Sequence, residues 1–130
     1  MSCIISNASG RAYSRVPFLL IADALIGKRY DLSIVFVSPA KMRALNKKYR
    51  RKNGSTDVLS FALGKTSGEL YFSMSDIKKK APLFDMNPRD YLAYLTVHGL
   101  LHLTGLDHGR TMTRIEKRFE KRFGYTLARS

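Results

Sequence analysis

Three histidines, His98, His102 and His108, are all the histidines this chain contains, and they fall in one short stretch near its C-terminal end. His98 and His102 stand four apart. On a helix of about 3.6 residues per turn they lie one above the other, roughly 6 Å apart along the axis. Gly105 can take the left-handed conformation that ends a helix, and the reversed chain can swing His108 back over the pair. Three neutral imidazole nitrogens converging on one point make an open zinc-type site with a fourth position for water. Nickel or copper would also suit such a site in vitro. The plainer reading, two packed histidines and one in a loop, does not account for ligand spacing around a turn glycine. The spacing matches the long zinc-protease motif, but Gly99 stands where that motif has its water-activating glutamate. A glycine moves no proton, so peptidase chemistry is disfavoured. Asp107, beside His108, either orients a ligating ring or handles a proton; orientation is the commoner task.

Charge suggests the substrate. Lys and Arg outnumber Asp and Glu by 23 to 10, a formal net charge of +13. Such a chain attracts polyanions over long range, and nucleic acid is favoured over an acidic membrane because no stretch pairs a basic face with a wide apolar one. The densest basic run includes Lys47, Lys48, Arg50, Arg51 and Lys52, cations suited to steering a nucleic-acid backbone. Cys3 is the sole cysteine, so no intrachain disulfide forms, which fits a reducing cytosol. No apolar run approaches the roughly 20 residues of a membrane span, and the N-terminus does not read as a signal peptide. A cytoplasmic monomer is expected.

The elements that must position these groups are legible as strands and helices interleaved. Residues 3–7 and 32–37 read as strands. Between them, Ser14 is read as the cap of a helix with Pro17 in its first turn and Phe18, Leu19, Ala22, Leu25 and Ile26 on its apolar side. Ser38-Pro39 caps a second helix, and Asn53-Gly54-Ser55 signals a turn. Strand 56–63 turns through Gly64–Gly68 into strand 69–74 as a hairpin, with Val58, Ser60 and Ala62 facing one way and Leu59, Phe61 and Leu63 the other. Ser75-Asp76 begins a brief helix that stops at Pro82. Asn87-Pro88 opens the long helix that carries the histidines. A last helix, from about Thr111 to Phe123, sets Met112, Ile115 and Phe119 inward and its cations outward. The expected fold is α+β: a mixed sheet of about four strands flanked by helices, one of them a zinc-hydrolase-like metal helix, in a single domain over residues 1–130.

Three blocks of this chain resemble the YbeY family. Leu45-Asn46, Tyr49-Arg50 and Thr56-Asp57-Val58-Leu59-Ser60-Phe61 are similar to its first signature. Gly68-Glu69-Leu70 is similar to its central element. Val97-His98-Gly99 through His102-Leu103, Gly105 and Asp107-His108, followed by Met112 and Glu116, is similar to its metal motif, although Leu106 stands where tyrosine is usual. The resemblance implies a single-strand-specific, zinc-dependent endoribonuclease acting in 3′-end maturation of 16S ribosomal RNA and in ribosome quality control. Its partners would be small-subunit ribosomal RNA and ribosomal proteins. It makes Arg50 the candidate guanidinium for the charge developing on phosphorus. Glu69 is either a base near the metal or a strand-end residue, Ser60 lines the groove or packs on its neighbour strand, and Glu116 is a helix-surface or capping partner. Two other readings stand beside this one: a non-catalytic RNA-binding assembly factor with a zinc site, and a zinc hydrolase of another substrate class.

Overall fold

Alternation of side chains along three strands decides which residues meet. A computed structural model of the chain describes residues 2–6, 16–27, 29–51, 54–105 and 110–123. Its elements run β1 (Ser2–Ser6), α1 (Phe18–Ile26), β2 (Asp31–Phe36), α2 (Pro39–Arg50), β3 (Val58–Gly64), β4 (Ser67–Phe72), α3 (Met74–Lys80), a 3-10 turn (Ala81–Phe84), α4 (Pro88–Leu103) and α5 (Arg110–Phe123). The sheet order is β1-β2-β4-β3, with β1, β2 and β4 parallel and β3 antiparallel to β4 across a turn at Lys65-Thr66. The α+β class and the mixed sheet are therefore as expected.

Register sorts the two faces. Ile34 pairs with Leu70 and Leu70 with Ser60, so all three point one way, together with Leu32, Phe36, Gly68, Phe72, Val58 and Ala62. On this face lie α1 and α4, and the ring of Phe18 meets those of Phe36 and Phe72 at 6.2 and 6.5 Å. The main core sits here, with Ile21, Ile34, Leu70, Phe72, Leu92 and Leu100 fully buried. Leu59, Phe61, Glu69 and Tyr71 point the other way, where Tyr49 of α2 meets Phe61 at 5.3 Å between ring centres.

Caps and prolines set most helix starts. The Ser38 Oγ accepts from Lys41 N at 3.1 Å and the Asn87 Oδ1 from Asp90 N at 2.8 Å, each ahead of a proline in the first turn. Two expectations need correction. α1 starts at Phe18 with no side-chain cap, buries Ile21 and leaves Leu19 exposed, while Ser14 lies outside the described residues. β4 runs from Ser67 to Phe72 rather than 69–74, because Ser73 caps α3, its Oγ accepting from Asp76 N, and draws Met74 into the helix.

Two backbone positions are tightly constrained. Gly99 of α4 is buried on the sheet, and a Cβ there would come within 2.8 Å of Leu70 Cδ2, itself fully buried. A side chain at this position must displace a core leucine. At the end of α2, Arg51 adopts a left-handed conformation with φ of 56°, its N–H donating to the Asn46 carbonyl. Glycine usually takes that place, and another residue there costs about 1–2 kcal/mol.

Both constraints are measurable by urea unfolding. Gly99→Ala should cost about 1 kcal/mol net, overpacking of about 1–3 kcal/mol outweighing a helix-propensity gain of up to about 1 kcal/mol. In a Leu70→Ala background that loss should vanish; the same loss in both backgrounds would exclude this contact as its source. Arg51→Gly should raise the unfolding free energy by about 0.5–1 kcal/mol.

Candidate metal centre

With Gly99 against the sheet, the rest of α4 has its orientation set. At about 100° per residue, His98 and His102 lie roughly 100° and 60° from Gly99 in the same direction round the axis. Both project from one flank, and Tyr91 and Tyr94 share it. The Tyr94 ring lies 5.8 Å from that of His98, and the two histidine rings meet at 4.7 Å with an interplanar angle of 79°. Their Nε2 atoms are 3.2 Å apart.

Glu116 of α5 completes this arrangement. Its carboxylate is buried, and Oε2 lies 2.8 Å from His98 Nδ1. An acceptor-only carboxylate there places the hydrogen on Nδ1, so the lone pair of His98 is on Nε2, the atom that faces His102. The expectation of a surface or capping glutamate is thus corrected. The signal was present in the sequence, where Glu116 stands four residues after Met112 and three before Phe119, at helical spacing from residues read as inward on an otherwise basic helix. Tyr94 stands beside this pair. Burial, then the negative charges of Glu116 and Asp57, push its hydroxyl up to about 12, so it remains a protonated donor at neutral pH.

The end of α4 is built as the sequence suggests. Gly105 takes a φ of 91°, and its N–H donates to the His102 carbonyl at 3.0 Å. His108 and Asp107 lie outside the described residues, as does Lys52. Among the described residues, no three His, Cys, Asp or Glu side chains converge as a metal cluster. The two described histidines nevertheless suit zinc. Nitrogens about 2.0–2.1 Å from a tetrahedral zinc lie about 3.3 Å apart, close to the observed separation, and a carboxylate behind a ligating ring is the usual support for such a ligand.

The remaining candidates separate by face. Ser60 is half-buried on the α4 face, opposite Leu70 and hence one strand away from Gly99. Glu69 points to the opposite face, where its Oε1 accepts from the Tyr71 hydroxyl at 3.3 Å; strand alternation removes it from the histidines. Arg50 is exposed at the last turn of α2, with Lys47, Lys48 and Arg51 exposed around it. Among the described residues, no hydrogen bond or ion pair joins Arg50 to a histidine.

What the structure does show is how the loop after Arg50 is tied to α4. Asp57 is buried, and its Oδ2 accepts from the Tyr91 hydroxyl at 2.5 Å and lies 3.7 Å from Lys80 Nζ. Ser55 and Ser73 donate to Asp76 Oδ2 at 2.6 and 2.5 Å. Burial alone would raise the Asp76 carboxyl, but these hydrogen bonds, with Lys79 and Lys80, outweigh it and hold the group below the usual carboxylate range. Asn46 Nδ2 donates to the Gly54 carbonyl at 3.1 Å, anchoring the same loop to α2.

The sequence pattern of the endoribonuclease YbeY family matches residues 12–124. Endoribonuclease YbeY of Oenococcus oeni is 34% identical over 103 residues, covering 71% of this chain and 67% of the relative. That of Geobacillus kaustophilus is 34% identical over 116 residues, with 74% of each chain covered. The solution structure of TM1509 from Thermotoga maritima superposes with a TM-score of 0.67 at 25% identity, over 95% of this chain and 90% of that one. A histidine pair backed by a carboxylate, the loop clamped to its helix and these likenesses agree: the chain belongs to the endoribonuclease YbeY family.

Proposed function

We propose that this protein is an endoribonuclease that cleaves single-stranded RNA in maturing the 3′ end of small-subunit ribosomal RNA, and serves ribosome quality control through that step. We propose one zinc ion per chain, held by His98, His102 and His108. Family membership supports the nuclease activity. The observation that carries the metal reading is the convergence of two Nε2 atoms at 3.2 Å, one from a ring whose Nδ1 is engaged by buried Glu116. When bound, zinc supplies a water molecule with pKa near about 7 and Lewis-acid polarisation of a phosphoryl oxygen.

The chain's own residues do the rest. Glu116 holds the His98 ring in one tautomer and one orientation. Asp107 is assigned the equivalent task for a neighbouring ring. Arg50 supplies a planar guanidinium for the charge that develops on the phosphoryl oxygens, from the last turn of α2, just ahead of the loop held by Asp57 and Asp76. Lys47, Lys48, Arg51 and Lys52 attract and guide the backbone. Peptide hydrolysis is disfavoured by geometry as well as composition. The position that would carry a peptidase glutamate is Gly99, packed so that even a Cβ there would press on the buried Leu70 side chain.

The test is cleavage of small-subunit precursor RNA, with RNA binding and metal content measured alongside. His102→Ala should abolish cleavage and bound zinc while RNA binding survives. Arg50→Glu should abolish cleavage with zinc retained. Glu116→Gln should lower zinc affinity by about 10–100-fold. Full cleavage by His102→Ala or by metal-stripped protein would refute the hydrolytic assignment; RNA binding without cleavage by the zinc-loaded wild type would leave an assembly factor.

A further inference from the structure

The face of the sheet turned away from the histidines carries a hollow of about 230 Å³ between α2 and the β3–β4 hairpin, lined by Leu45, Tyr49, Phe61, Leu63, Glu69 and Tyr71 among others. Its walls are apolar and open to solvent: Tyr49 is 57% exposed and Leu63 64%. The rings meet edge to face, Tyr49 with Phe61 at 5.3 Å and Phe61 with Tyr71 at 5.8 Å, so they do not stack on one another. The rim is cationic. Lys48 Nζ lies over the Tyr49 ring, 5.2 Å from its centre, Arg50 follows Tyr49 on α2, and exposed Lys65 sits in the hairpin turn beside Leu63. Within the hollow, the Glu69 carboxylate accepts from the Tyr71 hydroxyl. Burial, then Glu69, raise the pKa of that phenol, so it remains a donor.

Aromatic walls, a cationic rim and one acceptor-only group describe a complementary ligand. It is flat and apolar on its faces, carries negative charge at its margin and offers a hydrogen-bond donor at its edge. We propose that this hollow is a base-binding subsite, taking an unpaired RNA base that bears an exocyclic amine, stacked against Tyr49 and Phe61 with the amine donated to Glu69 and the flanking phosphates on Lys48 and Lys65. The inference rests on the RNA reading above and adds to it a second contact point and a base preference. Cytosine presents a donor where uracil presents an acceptor, so a carboxylate distinguishes two bases of nearly equal size. A second copy of this chain is the poorer occupant, because net charge of +13 opposes self-association at a cationic rim. The subsite and the histidines lie on opposite faces of the sheet, and β3 is its edge strand. A single strand bound at both would pass over that edge, beside Arg50.

The experiment measures binding of 5′-labelled decacytidine and decauridine RNA by fluorescence anisotropy, with zinc-loaded full-length protein. The wild type should bind decacytidine about five- to ten-fold more tightly than decauridine. Glu69→Gln should abolish that preference with little change for decauridine. Tyr49→Ala should weaken binding of both about ten-fold, and Tyr49→Phe should restore it, as stacking is worth several-fold or more per base. Thermal unfolding checks each variant; Tyr49→Phe and Glu69→Gln keep the proposal falsifiable if Tyr49→Ala folds poorly. Equal affinities for the two RNAs, or Tyr49→Ala binding like wild type, would overturn the subsite and leave the RNA reading standing. No binding of either RNA by the wild type would overturn both. A wild-type dimer in sedimentation that Tyr49→Ala dissolves would instead assign the face to self-association.

Discussion

The close approach of Gly99 of α4 to Leu70 of β4 governs how the histidine-bearing helix is turned. A helix buried on most sides could in principle rotate, since apolar residues surround it. Leu92, Leu95, Val97, Leu100 and Leu101 are all buried, so hydrophobic burial alone selects no single orientation. The missing side chain at Gly99 does select one. It lets the backbone settle on the sheet at one azimuth, and the histidine flank follows from the helical repeat. Interiors packed at crystal-like density transmit such a constraint, because neither Leu70 nor its neighbours have free volume to absorb a different rotation. The glycine that stands at the position of a zinc-peptidase glutamate is thus also the residue that aims the imidazoles.

Around this axis the polar groups are spent on holding elements together. Asp57 is buried with the Tyr91 hydroxyl and Lys80 close to it, an arrangement in which removing one partner leaves a costly unpaired group. Asp76 binds two serine hydroxyls, one from the loop and one from the cap of α3. Glu116 bridges α5 to α4 through His98. Each carboxylate therefore joins elements far apart in sequence, and together they place the loop that follows Arg50 near the flank of α4. In a chain this basic, its few buried acids act as anchors, while the cations are left on the surface where they can attract a polyanion over about a Debye length.

The mixed sheet separates two differently lined faces. One face, roofed by α1 and α4, carries the imidazoles and the phenols of Tyr91 and Tyr94. The other, under α2, carries an aromatic hollow with a cationic rim. Period-two alternation puts neighbouring residues of β3 to work on opposite sides, Ser60 toward α4 and Phe61 toward α2. A polymer contacting both faces is held across an edge, which positions its backbone more firmly than either contact alone would.

Much of this was legible in the sequence because the controlling interactions are local. Histidines four apart on a helix, the caps Ser38 and Asn87, the left-handed turn at Gly105 and the alternation of β3 all depend on separations of a few residues, and the helical and strand repeats convert those directly into direction. Where the local rules competed, tertiary contact decided. Leu19 reads as core but is exposed, while Ile21 is fully buried in its place, because α1 starts at Phe18. The partner of His98, the packing reason for Gly99, the clamp on Asp57 and the removal of Glu69 from the histidine face join residues 18 to 34 positions apart or depend on strand register. No repeat relates residues at such distances. Only the folded chain, in which close packing leaves a single arrangement for each, brings them together or holds them apart.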